Sequence, residues 1–169
     1  TSWIALLLRG ALAACHAAPT ASASGVALTT GGSYYTQFSL LVEKDRWPTT
    51  NYRRGTLVPI NTEVVLKAIS GKQITVELKG TGQTLVVENV PKHTKETMEQ
   101  AFDKLFGGKP VELQRFSSAE KAAIREGRVE VGMSRDAVLA AIGHPPAIGT
   151  ASLDAADWKY WDTRFTTFF

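Results

Sequence analysis

The stretch VGMSRDAVLAAIGHPP, Val131 to Pro146, specifies a short helix more fully than any other part of the chain. Ser134 stands where an N-cap oxygen is needed, Asp136 falls in the first turn at the positive end of the helix dipole, and Met133 is spaced to staple against Val138. Leu139 and Ile142 continue the apolar face. Gly143 suits a left-handed C-terminal position, and Pro145 and Pro146 prevent continuation. Upstream, Ser117 and Glu120 have capping-box spacing ahead of SAEKAAIRE, a second short helix that Gly127 ends. Downstream, WKYW at Trp158 to Trp161 and RFTTFF at Arg164 to Phe169 read as two strands joined by an Asp162-Thr163 turn. Two helices followed by strands predict a small α+β layer over residues 113–169.

Working back from that layer, the period changes. Between Thr94 and Phe106 the residues Met98, Ala101, Phe102, Leu105 and Phe106 fall on one face of an amphipathic helix, with Thr94 as its expected cap and Gly107, Gly108 and Pro110 as its stop. From Tyr34 to Val90 alternation has period two. Ile74, Val76 and Leu78 oppose Thr75, Glu77 and Lys79, while Val64, Leu66 and Ala68 form a comparable set across the Ser70-Gly71-Lys72 link. Gly80-Thr81-Gly82-Gln83 is a second turn, and Tyr34–Val42, Thr56–Ile60 and Thr84–Val90 are further strands. The expectation for residues 34–112 is a small antiparallel β unit, an SH3-like barrel by architecture, with one helix. The polar segment Glu43 to Arg54 between two of the strands reads as a loop. Its Trp47 and Tyr52, interleaved with Lys44, Arg46, Arg53 and Arg54, offer a surface for anionic head groups or glycan.

The first thirty residues read as an address. The apolar run Trp3 to Leu8 is too short for a bilayer, which needs about 20 residues, and suits the remnant of a signal peptide over residues 1–14. Leu12-Ala13-Ala14-Cys15 resembles the lipobox of bacterial lipoproteins, which makes Cys15 the expected lipidation site. The alternative is a cut at an A-x-A site such as Ala11 to Ala13, with a free thiol left behind. The residue after Cys15 is His16 rather than Asp, so outer-membrane sorting follows from the lipoprotein reading. The Ala, Ser, Thr and Gly that dominate residues 15–33 predict a lipidated flexible tether.

Of 169 residues, 44% are hydrophobic and one is Cys, a composition that excludes a disulfide scaffold and a disordered chain. The net charge of +3 is scattered rather than blocked, which argues against a nucleic-acid partner. Chemistry is sparse. The three His, His16, His93 and His144, lack metal-ligand spacing, no nucleotide or nucleophile motif occurs, and Asp154 with Asp157 do not make an acid/base pair by separation alone. The expectation is therefore a non-enzymatic chain with no catalytic residues, cofactor or metal, which works by binding. The aromatic C-terminal strands supply the candidate contacts Trp161, Arg164 and Phe165, with Trp161 either free for a partner or packed beneath the β unit.

The order Gly132, Met133, Ser134, Val138, Gly143, Pro145, Trp158 and Tyr160 resembles the SmpA/OmlA (BamE-like) family of outer-membrane lipoproteins. The resemblance covers the last 50 or so residues. It implies two helices on a three-stranded antiparallel sheet, an anchor on the periplasmic face of the outer membrane, and envelope-protein partners that include the β-barrel assembly machinery. The chain departs from the family in two ways: a whole β-rich unit precedes the motif, and the third strand is missing because the sequence stops at Phe169, as expected of a fragment lacking residues at both ends. The alternative function is an SH3-like module that binds cell wall or glycan, with the C-terminal unit as a spacer.

Overall fold

A computed structural model describes residues 28–162 together with Thr167 and Phe168. Among the described residues the fold is α+β, with four α-helices and a mostly antiparallel, curled six-stranded sheet. Strands β1 (Ser33–Thr36), β2 (Leu40–Val42), β3 (Arg46–Pro48), β4 (Thr56–Val58), β5 (Glu63–Ile69), β6 (Gln73–Leu78) and β7 (Thr84–Glu88) precede helices α1 (Pro91–Thr94) and α2 (Met98–Leu105). Strand β8 (Phe106–Gly107), helices α3 (Ser118–Glu126) and α4 (Arg135–Ile142), and strands β9 (Tyr160–Trp161) and β10 (Thr167–Phe168) follow. The large sheet has the order β3-β7-β6-β5-β1-β8, while β2 pairs with β4 and β9 with β10.

The expected hairpin of β5 and β6 is present, with Val64 opposite Leu78 and Leu66 opposite Val76. Ala68 does not join the buried set. The register shifts between Leu66 and Ala68, and an extra residue in one strand sends its next side chain to the other face. Ala68 is therefore exposed, and Ile69 packs against the core instead.

Two further expectations are corrected. The segment Glu43 to Arg54 is not a plain loop, because it holds β3, which runs parallel to β7 with Trp47 opposite Val87. Lys44 and Asp45 both adopt positive φ, 51° and 62°, the geometry of a two-residue hairpin turn whose twist matches its strands. That turn folds Trp47 back into the core, where it is 3% exposed and lies beside Phe38, with ring centroids 6.1 Å apart. The predicted helix between Thr94 and Phe106 is present as α2, with Met98, Ala101, Phe102 and Leu105 buried, but its cap is not Thr94. Thr94 is the last residue of the separate α1, and the N-cap of α2 is Thr97, whose side chain and Gln100 form a reciprocal capping box. Phe106 leaves the helix to pair with Thr36, so its ring is buried from a strand.

The buried side chains form two clusters. One lies between the large sheet and α2 and is centred on Leu66, Ile74, Val76, Phe102 and Phe106. The other joins α3, α4 and Tyr160, with Ile60 contributed from the β-rich part. The capping box at Ser117 and Glu120, the end of α3 at Gly127 and the Ser134 cap all occur as the sequence predicts, with Gly127 in the left-handed conformation. The buried face of α4 differs from the expected one. Ala137, Ala140, Ala141 and Ile142 are buried in one cluster with Ile124 of α3, whereas Val138 and Leu139 are half-buried. Gly143 has φ 77° with ψ −167°, a glycine-only conformation rather than a left-handed helical cap, and a Cβ there would collide with the Phe38 ring.

Side chains of the β-rich part cap the helix pair. The last carbonyls of a helix have no partner within it and must find one elsewhere. Ser39 Oγ donates to Ile124 O at 2.8 Å, Arg53 Nη2 to Gly127 O at 2.5 Å, and Asn51 Nδ2 to Ile142 O at 2.6 Å. Asn61 adds a reciprocal pair with the Val111 backbone at 3.0 and 2.7 Å. Residues ahead of Tyr34 also join the fold, since Gly31 N donates to Leu66 O at 2.7 Å and Ser33 begins β1. The expected tether therefore meets the fold by Gly31. Cys15, Arg164 and Phe165 lie outside the described residues.

Candidate binding groove beside the helix pair

A groove of about 560 Å³ lies between the α3–α4 connection, α4 and the approach to β9. Four of the eight motif residues line it: Met133, Val138, Trp158 and Tyr160. Their roles follow from local structure. Tyr160 is 3% exposed; its hydroxyl donates to Gly143 O at 2.8 Å, and burial raises its pKa. Trp158 is fixed by Nε1 donating to Leu153 O at 3.1 Å and by the Arg135 guanidinium 5.2 Å from its ring. Arg135 also donates to Leu153 O and Ala155 O, each at 2.8 Å, which holds the loop carrying one groove wall.

The opposite wall is the connection from Gly127 to Met133. Glu120 fastens its far end by accepting Ser134 N at 2.9 Å and Ser134 Oγ at 2.8 Å while it caps α3 at Ser117 N. These bonds, those from the Ser134 backbone first, hold its carboxyl at about 2, below the ordinary range. Val129 and Val131 on this wall are exposed, Val131 fully so. These two valines stand at the mouth of a groove whose lining mixes apolar side chains with charged ones. The remaining motif residues are structural. Gly132 takes φ 92°, Gly143 accommodates Phe38, Ser134 caps α4, and Pro145 is buried.

Arg53 forms part of the groove floor. Burial lowers its pKa to about 10, against the opposing fields of Tyr160 and Asp162, so it remains a cation at neutral pH. Trp161 lies on the far side of β9, half-buried, stacked on Tyr52 at 6.1 Å and edge-on to His93 at 5.2 Å. Of the two placements open to it, this packing favours contact with the β-rich part. Of the basic and aromatic residues from Glu43 to Arg54, Lys44, Arg46, Tyr52 and Arg54 line one cavity of about 410 Å³ together with Glu43 and Glu88, while Arg53 lies in the other groove. Trp47 is internal, Arg46 pairs with Glu88, and Arg54 pairs with Glu43 at 2.6 Å.

A smaller cavity, about 30 Å³, lies where the two clusters meet and is lined by Trp47, Asn51 and His144. That is far below the roughly 300 Å³ at which small-molecule sites begin. Burial, with Lys104 nearby, lowers the His144 pKa to about 4. Among the described residues no three His, Cys, Asp or Glu are grouped to hold a metal ion, and no helix is long and apolar enough to cross a membrane.

Sequence reasoning missed the groove because its floor comes from Arg53, 80 residues before Met133. The exposed valines carried the available signal, since Val129 and Val131 precede the cap at Ser134 and have no place on the α4 face. No family model, curated protein or solved structure matches this chain.

Proposed function

We propose that the chain is a non-enzymatic outer-membrane lipoprotein, anchored through Cys15 on the periplasmic face, whose groove captures a segment of another envelope protein. Its role is that of a scaffold or accessory in envelope biogenesis, with barrel-assembly components as the first partners to test. The observation that carries the reading is the apolar groove walled by motif residues and edged by the exposed Val129 and Val131. The paired helices with a short hairpin support a BamE-like reading of the C-terminal part, and the curled sheet supports an SH3-like reading of the β-rich part.

A photocrosslinking residue at position 131 tests the proposal. It should capture a discrete envelope protein, whereas the same residue at position 72 in the β5–β6 turn should not. Equal labelling from both positions would contradict groove binding. Cys15→Ser should move the protein from membrane to soluble periplasmic fractions; unchanged fractionation would remove the anchor from the account.

A further inference from the structure

The groove floor contains an unusual group for an apolar site. Arg53 Nη2 is satisfied by Gly127 O, but Nη1 of the same guanidinium is buried with no hydrogen-bond partner. A guanidinium presents its donors in a planar fork, and Arg53 is one of the residues lining the groove. Leaving a charged donor unpaired in a desolvated place is costly, and a carboxylate is the group that its geometry matches best.

The other charges around the groove do not meet this need. Arg128 is matched by Glu126 at 2.5 Å and by Glu130. Asp157 stands exposed on the rim, and Asp162 acts on Arg53 through its field without an ion pair. Arg135 spends its donors on loop carbonyls and keeps its charge. With Arg128 matched by Glu126 and Glu130, the lining charges left are Arg53 and Arg135 against Asp157.

We propose that the groove takes an apolar peptide segment bearing one carboxylate, and that Arg53 Nη1 is the donor that receives it. Val131, Met133, Val138 and Trp158 contact the apolar side chains, and a turn of the Arg53 terminal torsions brings Nη1 to the acid. This rests on the groove being the binding site and names the chemistry of what enters it.

The test uses a random 12-residue peptide library selected on the purified protein, with competition by Val131→Asp protein to retain only groove-dependent binders. Enriched peptides should place Asp or Glu among apolar residues. Replacing that acid by its amide in the peptide should weaken binding to the wild-type protein at least tenfold, and the difference should vanish on Arg53→Gln. The acid-to-amide comparison on the wild-type protein stands by itself if Arg53→Gln does not fold. Groove-dependent peptides that bind equally as acid and amide would overturn the carboxylate inference alone. Failure to recover any Val131-sensitive peptide would overturn it together with the groove.

Discussion

Glu120 joins two helix starts with one carboxylate. It closes the capping box of α3 and receives both donors of Ser134, the cap of α4. Its folded pKa of about 2 lies below the ordinary carboxylate value, so its contribution to stability is complete above about pH 4.5 and is lost as pH falls through 2. Denaturant titrations should show wild type more stable than Glu120→Gln at pH 6, with the gap closing as pH falls from 4.5 to 2. His144 also loses its contribution on acidification, but in a higher window. It is buried in the neutral form with a pKa of about 4 against 6.5 when unfolded, so stability from this group is present above pH 6.5 and declines as pH falls through 4. At about 1.4 kcal/mol per pKa unit the full effect is about 3 kcal/mol, and His144→Gln should remove that part of the pH dependence. Gly143→Ala should destabilise by at least about 3 kcal/mol, since both backbone and Phe38 oppose a Cβ. Gly71→Ala, with open space around it, should be nearly neutral in the same thermal denaturation.

The helices show what local sequence can and cannot specify. Caps at Ser117 and Ser134 and the stop at Gly127 were legible because side chain, backbone donor and spacing all lie within four residues. The start of α2 was misread because Thr94 and Thr97 both suit a cap, and the decision came from Pro91, which starts a separate turn ending at Lys95 with φ 61°. Thr97→Ala should therefore cost about 1 kcal/mol through the lost cap, measured by chemical denaturation. Strand β3 was illegible for a different reason. Its pairing with β7 joins residues about 40 positions apart, and Pro48 argues locally against a strand although an edge position tolerates it. The α4 face was misjudged because Val138 and Leu139 are the larger apolar residues, while the alanines share the buried cluster with Ile124 of α3.

Taken as one body, the β-rich part and the helix pair depend on each other. Ser39, Asn51 and Arg53 donate to carbonyls at the ends of α3 and α4. The helix pair is thus part of one folding unit with the sheet, and both clusters should unfold in a single transition. Asn51→Ala would leave Ile142 O unpaired at a cost of about 2 kcal/mol, and hydrogen exchange should show α4 losing protection before the sheet does. The same arrangement places Arg53 in a groove whose other lining residues all come from residues 127–160, so the proposed binding surface and the structural seam share one arginine. Val131 is the cleanest probe of that surface, because its exposed side chain bears no part of the core. The decisive measurement is the affinity of the partner captured at position 131 for wild type and for Val131→Asp, with melting temperatures recorded alongside. Groove binding predicts at least a tenfold loss of affinity at an unchanged melting temperature; equal affinities would contradict it.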